Sequence, residues 1–304
     1  MDNGSKAKVR LADTAAIAEA VRLLKWGEIV AVPTETVYGL AADAMNPGAV
    51  DRLYRAKRRP AANPLIVHVA DEAMAARYAE VSPLAARLMA HFWPGPLSLV
   101  LPRRYGAPLA GAVTAGLATV ALRAPDHAVM QALIAGLGRA IAAPSANLSG
   151  RLSPTRADHV DVPGCKLVLD GGPARVGLES SVVRVEGDRL VLLRPGVLAA
   201  GPLAEAAGVP VEAAGEGAAL ESPGMAFRHY APRLPLDLDV KGLAAEAKRQ
   251  LRLEADYQQE ARHAERFRKL LGDAEDFVVP RVHRDLSTRR ILALDFVEGV
   301  PLDD

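Results

Sequence analysis

Along residues 9–208 short apolar runs alternate with stretches of helical period. Residues 14–26 read as a helix: Ile17, Val21 and Leu24 form the apolar stripe, Asp13 or Thr14 caps it, and Gly27 ends it. Residues 29–32 read as a buried strand, stopped by Pro33, which has no amide donor for a ladder. Asn46-Pro47 opens a second helix with Val50, Leu53 and Tyr54 inward, and it must end before Pro60. A strand at 65–69 and a helix at 82–92 follow, then a rigid turn, Trp93-Pro94-Gly95-Pro96. Strands are expected at 97–101, 119–122, 140–143 and 166–169, with a helix capped by Asp126 running to residue 137. A hairpin pairs 181–185 with 190–193 through Glu186-Gly187-Asp188, and a helix at 203–207 closes the series. This mixture predicts an α/β domain over residues 1–208, a twisted mixed β-sheet with flanking helices.

The pattern changes twice after that. Residues 209–237 are rich in Ala, Gly, Glu and Pro and read as a linker. Inside it, Ser222-Pro223-Gly224-Met225 and His229-Tyr230-Ala231-Pro232 are more specialised than a spacer requires. Residues 238–304 read as a small α+β C-terminal fragment. A charged helix at 241–271 precedes strands at 277–282 and 290–297, which turn at Leu286-Ser287-Thr288.

Composition narrows the class. Half of the 304 residues are apolar and only 4% are aromatic, so the core is built from Ala, Val and Leu. No apolar run approaches the ~20 residues of a membrane span, and residues 1–10 lack a signal-peptide core. One cysteine, Cys165, excludes an internal disulfide and a Cys-based zinc site, and reads as a small buried hydrophobe. A cytoplasmic protein with no membrane contact is the expectation. Basic residues outnumber acidic ones by three before Leu238, and acidic ones lead by two from there on. That small excess permits a local basic cleft without demanding nucleic acid.

The candidate chemistry sits at strand ends, where α/β sheets place ligands. Thr34, Glu35 and Thr36 follow the first strand, and the cationic Lys57-Arg58-Arg59 with Asn63 lies about twenty residues on. His68, Thr119 with Arg123, Ser145 with Asn147, Ser149 and Ser153, Glu179-Ser180-Ser181, and Arg194-Pro195-Gly196 end other strands. Arginines suit phosphates and carboxylates through their bidentate fork. Spacing alone leaves open a polar loop beside a solvated basic patch. Asp43 and Asp170-Gly171-Gly172 fit either a metal-facing role or, better, a helix flank and a turn. Walker A, GxGxxG, HExxH and Ser-His-Asp signatures are absent, so catalysis is expected from positioning and charge neutralisation.

Eight stretches, in order, resemble the YrdC-type threonylcarbamoyl-AMP synthases. They are Pro33–Leu40, Ala56–Pro60, Asn63–His68, Trp93–Leu97, Ala118–Arg123, Ala142–Asn147, Glu179–Ser181 and Leu193–Gly196. The linker motif resembles the family's longer, two-domain form. The resemblance implies condensation of L-threonine, bicarbonate and ATP to threonylcarbamoyl-AMP and pyrophosphate. A partner transferase complex then carries the group to an adenosine of tRNA. It implies Lys57 and Arg59 as catalytic residues, and Thr36, His68, Arg123, Ser145 and Ser180 around threonine. Arg59, Asn63, Thr119, Ala143, Asn147, Ser153 and Arg194 would hold ATP, with His229 or Tyr230 closing over it. Mg²⁺ is expected with ATP, and no protein metal ligands. The alternative is an RNA-binding, ribosome-associated module with this fold and no synthase activity. A carbamoyl-phosphate-using domain of the hydrogenase-maturation type is disfavoured, because zinc-finger Cys pairs are missing. Residues 243–304 resemble an internal slice of the UbiB/ADCK-type atypical kinases, which implies a fusion without kinase activity. In that slice Glu254 and Asp256 match an acidic motif or are solvated helix charges.

Overall fold

A computed structural model describes residues 7–215, 257–271, 279–287 and 293–295. The chain divides into two compact units, residues 1–233 and 234–304.

The first unit is built on an eleven-stranded sheet. In chain order its strands are β1 (Lys8–Leu11), β2 (Val30–Val32), β3 (Gly39–Asp43), β4 (Ile66–His68), β5 (Leu97–Pro102) and β6 (Thr119–Arg123). They continue with β7 (Ile141–Ala142), β8 (Leu167–Asp170), β9 (Ser181–Glu186), β10 (Arg189–Arg194) and β11 (Val211–Ala213). Across the sheet they run β1-β8-β2-β3-β7-β4-β6-β5-β9-β10-β11. Pairs β1/β8, β2/β8, β4/β6, β5/β9 and β10/β11 are parallel. Pairs β2/β3, β3/β7, β4/β7, β5/β6 and β9/β10 are antiparallel. The mixed sheet is as expected.

The helices are α1 (Thr14–Lys25), α2 (Pro47–Lys57), α3 (Glu72–Ala75), α4 (Pro83–Phe92), α5 (Ala128–Leu137) and α6 (Ala200–Ala207). Asp13, Asn46 and Ser82 cap α1, α2 and α4 as their sequences indicate. The cap of α5 is His127, whose ring accepts from the Val129 amide, and not Asp126, whose carboxylate pairs with Arg175. Strands β1, β3 and β11 and helix α3 were not expected. The Gly39-Leu40-Ala41-Ala42 segment has little intrinsic strand preference, and burial of every residue in it imposes the strand. The expected linker start is corrected by β11, an edge strand stapled to β10 by Arg189–Glu212 at 2.5 Å. The hairpin strands extend to Glu186 and Arg189, so its turn is the two residues Gly187-Asp188.

The sheet is two-faced. Leu97, Leu99 and Leu101 of β5, Val120 and Leu122 of β6 and Val183 of β9 join the helices' apolar faces in one large core. The alternate residues, Ile66, Val100, Ala121, Val182, Val191 and Leu193, form a second, small cluster. Period-two alternation puts Thr119, Ala121 and Arg123 on that second face. Every site residue carried by these strands therefore depends on register.

In the second unit α7 (Tyr257–Leu271) carries Glu265, which Arg284 grips. Among the described residues an isolated antiparallel bridge joins Val282 to Leu294, and His283 meets Asp295 at 2.6 Å beside it. The turn lies at Arg284–Leu286, slightly earlier than expected. Glu254 and Asp256 lie outside the described residues, as do 277–278, 290–292 and 296–297 of the two expected strands, and the described remainder carries only the Val282–Leu294 bridge.

Gly196 shows how tightly the sheet end is assembled. A Cβ there would stand 2.5 Å from the Glu179 carbonyl oxygen, the Ser180 carbonyl carbon and the Ser181 amide nitrogen, all backbone atoms. Gly196→Ala is expected to destabilise the first unit by about 1–3 kcal/mol, read as a lower urea midpoint. An unchanged midpoint would mean that the close approach is not required.

Candidate active site

The loop between β2 and β3 folds around one hydroxyl. Thr34 Oγ1 donates to the Val37 carbonyl at 2.6 Å and accepts from the Thr36 and Val37 amides at 3.2 Å. This turn buries Thr36 completely and aims its hydroxyl at Arg123, whose Nη2 donates to it at 3.0 Å. The same Nη2 lies 2.6 Å from Glu35 Oε1, and Arg123 Nε donates to the Gly95 carbonyl at 3.1 Å. Arg123 ends β6 and is fully buried. Burial pulls its pKa below the ordinary value, and the Glu35 carboxylate opposes that pull.

His68 ends β4 directly beside Arg123 in the parallel register. It is 3% exposed, and neither ring nitrogen has a hydrogen-bond partner. Burial first, then the Arg123 charge, holds its pKa well below 6.5. The ring is therefore neutral. Ser180 shares a 2.8 Å hydrogen bond with Ser98, and Arg194 Nη2 donates to the Ser180 carbonyl at 2.7 Å and hydroxyl at 3.1 Å.

These groups line one cavity of about 40 Å³. Thr36, His68, Arg123 and Ser180 stand on its wall with Arg59, Arg194 and Ser145. Val37, Ile66, Ala143 and Pro144 supply its apolar surface. Gly39 lets the Ala143 strand come close, since a Cβ there would already touch the Ala143 methyl at 3.4 Å. Three guanidiniums, a neutral imidazole and small hydroxyls around a narrow space favour an anionic ligand that carries a polar side group.

The Sua5/YciO/YrdC family model, described as "Telomere recombination", matches residues 22–196. The chain belongs to the Sua5/YciO/YrdC family. A Bacillus subtilis threonylcarbamoyl-AMP synthase is 48% identical over 72% of the chain, and a Pyrococcus abyssi one is 44% identical over 70%. The chain spans 65% and 64% of the lengths of these two relatives. The P. abyssi Sua5 structure complexed with L-threonine aligns at TM-score 0.69 and 37% identity, covering 83% of this chain and 77% of that one. Escherichia coli YciO, 22% identical at TM-score 0.58, shares the fold. A second family model, the ABC1 atypical kinase-like domain, matches residues 222–304.

The other residues singled out from the sequence fall in several places. Lys57 and Asn147 brace the wall from behind. The Lys57 ammonium donates to the Ser145 and Asn147 carbonyls, and burial, then the Arg59 charge, lowers its pKa to about 7. Asn147 spans its own loop by donating to the Leu148 and Arg151 carbonyls, with a buried Oδ1 that has no partner. Asn63 fixes Arg59, taking Nε at 3.0 Å on its carbonyl and Nη2 at 2.5 Å on its side chain. Ser153 donates to the Glu179 carboxylate. Thr119 starts β6, four residues from Arg123, and lines a separate cavity of about 390 Å³ with Arg184. His229 and Tyr230 lie outside the described residues.

Sequence reasoning had assigned no role to Glu35 or Glu179. Both were visible as lone carboxylates inside hydroxyl-rich clusters, which was the available signal. Cys165 is buried, as expected, and Asp170 closes a turn under the Tyr38 hydroxyl. Among the described residues no cluster of three metal-ligating side chains occurs, and no helix is long and apolar enough to cross a membrane.

The neutral His68 generates a pH prediction. The folded protein binds this proton less readily than the unfolded chain, so its contribution is full above about pH 6.5 and is lost as the pH falls below that. His68→Gln removes it. Urea midpoints at about pH 7.5 and pH 5 should differ more for the natural protein than for the variant. An equal acid-side loss in both would contradict a buried neutral ring.

Proposed function

We propose that the first unit is an L-threonylcarbamoyladenylate synthase, condensing L-threonine, bicarbonate and ATP to threonylcarbamoyl-AMP and pyrophosphate. The observation that carries this reading is Arg123, a buried guanidinium steered by Glu35, Thr36 and Gly95 into a cavity it shares with His68 and Ser180. Such a group matches an amino-acid carboxylate. The neutral His68 ring, with both nitrogens unpartnered, suits the threonine hydroxyl. The family membership and the naming of both relatives support the same reading.

In this reading the threonine amine, once neutral, attacks bicarbonate to give a carbamate. A carbamate oxygen then attacks the α-phosphorus of ATP, and pyrophosphate leaves. Arg59 and Arg194 neutralise charge on the transferring and leaving phosphates, where fixed donors act most strongly. Lys57 holds the Ser145 loop, with the Ala143 backbone, against the nucleotide. Thr119 shares a sheet face with Arg123 at ~13 Å along the strand, within reach of the adenosine end. Asn63 and Asn147 position the phosphate-side groups. His229 and Tyr230 would close over the nucleotide. Mg²⁺ enters with ATP as part of that substrate. The product passes to a tRNA-modifying transferase complex, in the cytoplasm. Residues 238–304 are read as an atypical-kinase fragment fused to the synthase, without kinase activity.

Pyrophosphate release from ATP and bicarbonate should require threonine and be far weaker with serine. Arg123→Lys keeps the charge but loses the fork, and is expected to raise the threonine KM about 10- to 100-fold with an unchanged circular dichroism spectrum. Threonine-independent release, or none, would contradict the synthase reading. It would favour an RNA-binding module of the same fold instead.

A further inference from the structure

The cavity wall carries three guanidiniums, and one carboxylate among the described residues: Glu179. Glu35, the other acid nearby, is 2% exposed, is committed to Arg123 at 2.6 Å and does not line the cavity. Glu179 is half-buried and held from several sides. Ser153 donates to its carboxylate, the Val197 amide donates to its carbonyl at 3.3 Å, and Gly196 packs on its backbone. The next residue, Ser180, is fixed by Ser98 and Arg194. Glu179 thus lines a wall whose other charged residues are cationic.

That arrangement answers a problem in the synthase reading, on which this inference rests. Free threonine carries an ammonium beside its carboxylate, and arginines repel the ammonium while they attract the carboxylate. The ammonium must also lose a proton before nitrogen can attack carbon. We propose that Glu179 is a catalytic residue that binds the threonine ammonium and accepts its proton. One proton passes from the ammonium to the Glu179 carboxylate and leaves a neutral amine. The amine lone pair forms the N–C bond to bicarbonate. The C–O bond breaks, and hydroxide departs as water with a second amine proton, leaving the carbamate. Glu179 then releases its proton to solvent. Seen this way, Ser153 orients the base by hydrogen bonding to it.

The test compares two ligands by calorimetric titration of the full chain. One is L-threonine; the other is 2,3-dihydroxybutyrate, which keeps the carboxylate, hydroxyl and methyl but replaces the ammonium with a hydroxyl. The natural protein is expected to prefer threonine by about 10- to 100-fold, the range of a charge-assisted hydrogen bond. Glu179→Gln keeps the shape and the acceptor for Ser153. It is expected to erase that preference and to lower kcat for threonine-dependent pyrophosphate release at least about 100-fold, as loss of a general base does. Glu179→Asp should restore part of the preference. If Glu179→Gln does not fold, the natural protein's own discrimination decides, and equal affinity for both ligands would overturn the proposal. Retained preference and turnover in a folded Glu179→Gln would overturn it alone, leaving the synthase reading intact. So would a raised KM for ATP with threonine binding unchanged, which would make Glu179 a nucleotide contact. A natural protein that binds no threonine would overturn both.

Discussion

A buried arginine is the constraint around which this site is arranged. Arg123 sits within the sheet, away from water, and its charge is offset there by Glu35 at 2.6 Å, while the Thr36 hydroxyl accepts from Nη2 and the Gly95 carbonyl from Nε. Removing one partner of such a pair costs about 3–5 kcal/mol, because the other charge is left buried alone. The three acceptors come from different parts of the chain. Glu35 and Thr36 belong to the loop after β2, and Gly95 to the turn after α4, where the Trp93–Pro94 bond is cis. A guanidinium that needs all three holds those segments together, and with them the mouth of the cavity.

The two faces of the sheet explain why the cavity lies where it does. One face is sealed by the helices in a continuous aliphatic core. The other carries the polar ends of β4, β6, β9 and β10, backed by a small cluster of Ile, Val, Ala and Leu. Lys57 and Arg59 reach the same region from the end of α2. The backbone of Arg58 between them turns left-handed at φ 51°, which lets both flanking side chains face inward. The cationic wall is then balanced by backbone carbonyls of Asn63, Pro64, Ser145, Asn147 and Ser180, and by one acid on the wall itself.

Much of this was legible before the structure. Caps and prolines fixed the starts of α1, α2 and α4, because Asp13, Asn46 and Ser82 satisfy amides through short side chains whatever the tertiary context. Strand ends named Thr36, His68, Arg123, Ser180 and Arg194, and these do converge on one cavity. The misses share a physical cause. Strands β3 and β11 are rich in Ala, Gly, Asp and Glu, residues that adopt strand mainly when neighbours pair with them, and pairing is not local information. His127 displaced Asp126 as a cap because Arg175, 49 residues on, claims that carboxylate. The partners of Lys57 lie 88 and 90 residues away, so its bracing position could not be read from its neighbourhood. Strand β1 was the exception, since its Lys-Val-Arg-Leu alternation was there to be read.

In the synthase reading, Glu35 acts on threonine only through Arg123. A double-mutant cycle on threonine affinity tests it most directly, using Glu35→Gln, Arg123→Lys and the combination, each titrated by calorimetry. Both single variants should weaken binding, and the double variant should be little worse than Arg123→Lys alone, a coupling of at least ~1 kcal/mol. Effects that add to within ~0.5 kcal/mol would show that the two residues act independently, and would contradict the account.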